Sequence, residues 1–134
     1  MATTTIKYLG DLQVECIHEK SGTKIVTDAP VDNNGKGSAF SPTDLCATAY
    51  LSCMVTIIGI YCDKNDLTFV HAEGSVNKIM ASGPRRIARL EINLDLSGNN
   101  WTTDERQAIM KAGEACPVAM SVSEEMEVDI KYQF

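Results

Sequence analysis

From Leu45 to Cys62 the chain carries no charged residue, and three of its five cysteines lie inside that run. Ser41, Pro42 and Asp44 stand just before it. That is helix-start chemistry: a hydroxyl to cap, a proline at the first helical position, and a carboxylate to close a capping-box-like pair. The pattern predicts a helix over 42–62. A helix apolar on every side must be buried on every side. In a chain of 134 residues it becomes the core axis of the fold. Eighteen uncharged residues also reach the short limit for crossing a bilayer. Thr48, Ser52, Thr56 and Gly59 dilute the run, however, and its flanks show no positive bias, so the reading is a buried helix with no membrane partner.

A chain of this length fits one domain, 1–134, and can bury a core of useful size. Its net charge of −6 argues against nucleic acid, whose phosphates need clustered Lys and Arg. Arg85, Arg86 and Arg89 form the only basic cluster, and beside Gly83-Pro84 they read as a solvated turn. Met1–Lys7 lacks an apolar signal region. With an odd number of cysteines, that predicts free thiols in a reducing compartment, hence the cytoplasm.

Three strand-like runs open the chain: Thr3–Leu9, the alternating Leu12–His18, and Lys24–Asp28, an antiparallel meander. A breaker-rich loop over 29–37 delivers the chain to the long helix. Strands follow at Leu67–Met80, where Gly74 suggests a bulge or a close backbone approach, and at Ile87–Leu96. Thr102 or Thr103 caps a second helix through about Ala115. Trp101, next to that helix start, reads as a hydrophobic staple. Cys116-Pro117 begins a short helical turn, and Met126–Phe134 alternates as a terminal strand. The order β-β-β-α-β-β-α-β is an α+β protein with a mostly antiparallel sheet. One short chain cannot easily cover its central helix. The stripe Asp44, Thr48, Ser52, Thr56 is small and mildly polar, suited to close packing, so a second subunit is expected to supply cover as an intimate homodimer.

The cysteines differ in promise. Cys46 and Cys53 share a helix face but lie about 10 Å apart along the axis, beyond the ~7 Å that a disulfide allows between Cα atoms. Cys62 falls on the opposite face. A redox partner for Cys53 therefore comes from a distant segment, Cys116 or Cys16. Buried cysteines commonly pack as small hydrophobes, the reading taken for Cys16, Cys46 and Cys62. Cys116, at or near a helix N-cap, would face unpaired N–H groups that lower a thiol pKa. His18 and His71 have no metal-ligand spacing around them.

The run Ser41-Pro-Thr-Asp-Leu-Cys-Ala-Thr-Ala-Tyr-Leu-Ser-Cys53 resembles the first motif of the OsmC/Ohr family, and Cys116-Pro-Val-Ala-Met-Ser-Val122 resembles its second. The element order agrees as well, so the likeness covers nearly the whole chain. It is closer to the broader OsmC-like branch than to the well-studied organic hydroperoxide resistance branch. The resemblance implies a thiol peroxidase of organic hydroperoxides serving oxidative stress defence. Cys53 would be the peroxidatic thiol and Cys116 the resolving thiol, without metal or cofactor. It also implies an intertwined homodimer recycled by a dithiol or lipoyl-bearing protein. The well-studied branch supports its thiolate with an Arg from the N-terminal sheet and a Glu ten residues before the cysteine. Here no Arg precedes Arg85, Thr43 holds that Glu position, and Asp44 is the nearest carboxylate. Asp44 is thus a cap first and a supporting site residue second, and Lys7, Lys24 and Lys36 are the substitutes on offer for the cation. The alternative is a non-catalytic protein of the same fold binding a small apolar ligand in a dimer cleft.

Overall fold

A computed structural model describes residues 1–134. The elements run β1 (Thr4–Gly10), β2 (Gln13–His18), β3 (Lys24–Asp28), α1 (Pro42–Lys64), β4 (Glu73–Ala81), β5 (Arg86–Asp95), α2 (Thr103–Glu114) and β6 (Glu127–Gln133). This is the expected order and an α+β fold. The strands form two three-stranded sheets rather than one, β1-β2-β3 and β4-β5-β6. The residues fall into two compact units, Met1–Cys46 and Ala47–Phe134.

In the first unit the sheet is an antiparallel meander. Its first turn is made by Asp11 and Leu12, both at positive φ (53° and 63°), the backbone that a two-residue hairpin with right-handed strand twist requires. The register places Ile6, Cys16 and Ile25 side by side, with Tyr8, Val14 and Thr27 in the next row of the same face. That face is apolar yet open: Ile6 is 67% exposed and Tyr8 60%. Asp28 is fully buried at the end of β3. Its Oδ2 accepts from the Ser38 N–H at 3.0 Å and from the Ser38 hydroxyl. These bonds, the side-chain one foremost, hold its carboxyl below the usual range. They also pin the loop that feeds α1. Within that loop a Cβ on Gly35 would overlap the Ala29 carbonyl, so only glycine fits.

The start of α1 is capped as its sequence predicts. The Asp44 N–H donates to Ser41 Oγ at 3.1 Å, and the Ser41 N–H donates back to Asp44 Oδ2 at 3.0 Å, a reciprocal box. Complete burial is not met, however. Ala47, Tyr50, Met54, Ile58 and Cys62 are the buried residues of α1, spaced to form one stripe. Thr48, Ser52 and Thr56 are exposed.

In the second unit β5 is central, antiparallel to β4 and parallel to β6. A parallel neighbour requires a crossover, and α2 supplies it. Leu90, Ile92 and Leu94 on β5 are each 1% exposed and meet the α1 stripe, Ile109 of α2 and Trp101 in one core. The other sheet face is polar, with Asn77, Glu91 and Asp129 in one register row and Ser75, Asn93 and Lys131 in the next. Gly74 marks a close approach, since a Cβ there would lie 2.8 Å from the Asn93 carbonyl oxygen; the register shift of β4 falls at Ile79/Met80 instead.

Two expected details change. Strand β4 begins at Glu73, not Leu67. Val70 and His71 have no strand to pair with, and their N–H groups donate to Asn99 Oδ1 at 2.8 and 3.3 Å. Trp101 is not stapled to an apolar residue one turn into α2. The residue there is Arg106, whose guanidinium lies over the Phe134 ring at 5.0 Å. Trp101 packs instead on Phe69 and Phe134 and donates from Nε1 to the Thr68 carbonyl at 2.9 Å.

Candidate functional site

Helix α2 starts at Thr102, which exchanges hydrogen bonds with Glu105 in a complete capping box. It ends against α1 at Gly113, where a Cβ would come within 3.2 Å of the Ile58 side chain. The missing side chain lets the two helices approach closely, and the chain leaves α2 directly into Cys116. The Cys116 N–H donates to the Gly113 carbonyl at 3.2 Å, and its own carbonyl accepts from Met120 at 3.1 Å. A short 3-10 turn follows at Ala119–Ser121.

This exit brings Cys116 into the neighbourhood of Cys53, whose thiol helps to raise its pKa. Both are free, with Cys53 half-buried and Cys116 fully buried. Of the distant partners open to Cys53 in the sequence, Cys116 is the one in the same compact unit. Cys16 lies on β2 of the first unit. Cys62 is buried in the core with its thiol pKa pushed up by burial.

Cys116 does behave as a cap, since its Sγ accepts the Ala119 N–H at 3.4 Å. The expected lowering of its pKa is overturned. Loss of hydration by burial comes first and pushes the thiol above its ordinary 9.0; the hydrogen bond from Ala119 opposes this but is smaller, and the Cys53 thiol adds to the rise. None of these strongest influences is a cation. Within the expected basic cluster, Arg89 is committed to Glu127 (3.1 Å) and Asp129 (3.0 Å), and Arg86 donates to the carbonyls of its own turn. Lys7, Lys24 and Lys36 belong to the first unit. Asp44 closes the cap of α1, nine residues from Cys53 and about 13 Å along a straight helix.

Residues that spacing did not single out complete the surroundings. Tyr50, one turn before Cys53, is 6% exposed. Burial first, then the charges of Cys116 and Glu114, raises its phenol above the ordinary 10.0. Tyr132 of β6 donates to Glu114 Oε2 at 2.8 Å, and burial together with that carboxylate raises its phenol as well. The Tyr50–Cys53 relation was legible as an i, i+3 pair on one helix. The Glu114–Tyr132 contact is tertiary and had no local signal.

The fold is that of an α+β protein in which the cysteine acting on Cys116 comes from α1 and not from a local Cys-x-x-Cys motif. The family model for OsmC-like protein matches residues 35–131, and the chain belongs to that family. It is similar, at 38% identity and a TM-score of 0.93, to a Psychrobacter arcticus protein provisionally described as an osmotic stress induced and detoxification response protein, covering 99% of this chain and 96% of that one. An organic hydroperoxide resistance protein OsmC from Legionella pneumophila shares the fold at a TM-score of 0.75 and 18% identity, over 100% and 98% of the two chains. One from Elizabethkingia anophelis does so at 0.67 and 15%, over 99% and 96%. No curated protein sequence matches the chain.

Proposed function

We propose that the protein is a thiol-dependent reductase of organic hydroperoxides, with Cys53 as the peroxidatic and Cys116 as the resolving thiol. One observation carries the reading: the exit from α2 sets the free, buried Cys116 close enough to the free, half-buried Cys53 for that thiol to act on it. The names of its fold relatives support it. The buried thiol, pushed up in pKa, holds its proton, and Cys53 is the thiolate nucleophile of this scheme. The thiolate attacks the terminal peroxide oxygen. An S–O bond forms as the O–O bond breaks, and the alkoxide leaves and takes a proton. Cys116 then displaces water from the Cys53 sulfenic acid, forming the S–S bond. The dithiol loses two electrons and the peroxide becomes alcohol and water. An external dithiol, free or lipoyl-borne, restores both thiols by exchange. No metal or organic cofactor enters this scheme.

The same proposal includes a cytoplasmic location, which five free thiols suit, and a homodimer. The open apolar face of the first sheet and the exposed Thr48, Ser52 and Thr56 of α1 are what a second copy would cover. The test is stoichiometric. One equivalent of cumene hydroperoxide should remove two titratable thiols per chain, and Cys53→Ser should abolish consumption. Retention of all thiols would sink the reading. The absence of a cation among the strongest influences on Cys116 favours the rival, an inert protein binding an apolar ligand. Its sign would be a native mass above that of the bare assembly.

A further inference from the structure

Reduction of a Cys53–Cys116 bridge can begin at either sulfur. Thiol–disulfide exchange passes through a mixed disulfide, and access to the attacked sulfur and the pKa of the leaving thiol set its rate. The two cysteines differ in access. Cys116 is 0% exposed and belongs to the buried core, whereas Cys53 is half-buried and packs at the edge of that core. Nor is Cys116 free to swing outward. Its N–H donates to the Gly113 carbonyl at 3.2 Å, and its carbonyl accepts from the Met120 N–H at 3.1 Å. Ser121 closes the turn beyond it. The Ser121 N–H donates to the Val118 carbonyl at 2.9 Å, and the Ser121 hydroxyl donates to the Pro117 carbonyl at 2.7 Å. The Cys116 sulfur itself accepts from the Ala119 N–H at 3.4 Å. A backbone donor thus already faces the sulfur that outside thiols cannot touch, and such a bond strengthens when its acceptor becomes an anion.

We infer that the bridge is opened from one side only: the external thiolate attacks Cys53, and Cys116 is the leaving group. This deepens the peroxidase reading above and rests on it. In the first exchange an S–S bond forms between the reductant and Cys53 Sγ as the Cys53–Cys116 bond breaks. The electron pair goes to Cys116 Sγ, where the Ala119 N–H meets it. The Cys116 thiolate then takes up the proton that the attacking thiol gave up. In the second exchange the other sulfur of the dithiol attacks its own sulfur in the mixed disulfide, and Cys53 leaves as a thiolate. The dithiol loses two electrons and becomes a disulfide, and the protein regains both thiols. Leaving-group strength alone argues the other way, because burial keeps Cys116 a weak acid. That slows the exchange, but it does not make a shielded sulfur reachable. One sulfur, Cys53, then meets both oxidant and reductant, and Cys116 meets neither.

The test locates the mixed disulfide in the wild-type protein. The bridge is formed with one equivalent of cumene hydroperoxide, and the folded protein is mixed briefly with 2-mercaptoethanol. N-ethylmaleimide in denaturant then stops the reaction, and peptide mass spectrometry reads each cysteine. The mercaptoethanol adduct should stand on Cys53 with maleimide on Cys116. Adducts on Cys116, or on both cysteines equally, would overturn the inference. The same exchange run in denaturant, where access is equal, should place adducts on both; a preference for Cys53 that persists there would also overturn it, since the fold would not be its cause. If the hydroperoxide forms no bridge but diamide does, the peroxidase reading falls and the adduct map still decides between the sulfurs. If neither oxidant forms the bridge, both readings fall.

Discussion

At Cys116 two effects on one sulfur compete. Capping by the Ala119 N–H favours the thiolate, but burial disfavours it more, so the folded protein holds the thiol. Helix-end logic read from sequence captures the first effect alone, because burial belongs to the assembled core. The sign has a consequence for stability. Cys62 and Cys116 are both raised above their ordinary 9.0, so the unfolded chain releases those protons first. Native stability is then fully present below about pH 9 and declines as pH rises through the folded values, since the unfolded state binds fewer protons there. Denaturant midpoints should be level near neutrality and fall from about pH 9 upward, with a shallower alkaline decline in Cys62→Ala. At the same scale Cys116→Ser should leave the first chemical step intact. Peroxide would then trap Cys53 as a sulfenic acid that a dimedone probe labels, and absence of the label would contradict the assigned order of thiols.

The elements were largely legible, because each is announced by local chemistry. Ser41, Pro42 and Asp44 mark the start of α1, Thr102 and Glu105 that of α2, and strict alternation marks β5 and β6. What could not be read was tertiary: the division of the strands into two sheets, the parallel β5–β6 pair, and the Asn99 side chain that occupies Val70 and His71 in place of a strand. Gly113 is the informative element-scale residue, since its missing side chain sets how near α2 comes to Ile58. Gly113→Leu should destabilise the fold by about 1–3 kcal/mol, the usual cost of overpacking. Because the chain leaves α2 into Cys116, the same change should slow disulfide closure. Thr102→Ala, which breaks the α2 cap at its far end, should cost about 1 kcal/mol in a denaturant titration. A Gly113→Leu protein as stable as wild type would show that the helix contact tolerates a side chain.

For the whole molecule, the mismatch between an uncharged helix and its partial cover is the leading fact. Five residues of α1 are buried within the chain, and the stripe from Thr48 to Thr56 faces outward. The proposed homodimer would account for this, and under it sedimentation should give twice the 14.6 kDa chain mass. Ser52→Lys, placing a charge in the stripe, should shift the protein toward the monomer. A second copy is also where a cation for Cys53 could enter, because one chain commits Arg89 and Arg86 elsewhere. The central claim is that Cys53 and Cys116 act as one peroxide-oxidised pair, and peptide mass spectrometry after one equivalent of cumene hydroperoxide tests it most directly. The account predicts a single Cys53–Cys116 disulfide formed at the expense of both thiols, with Cys16, Cys46 and Cys62 unchanged. Both thiols recovered free after the hydroperoxide, or Cys53 bridged to any other cysteine, would contradict it.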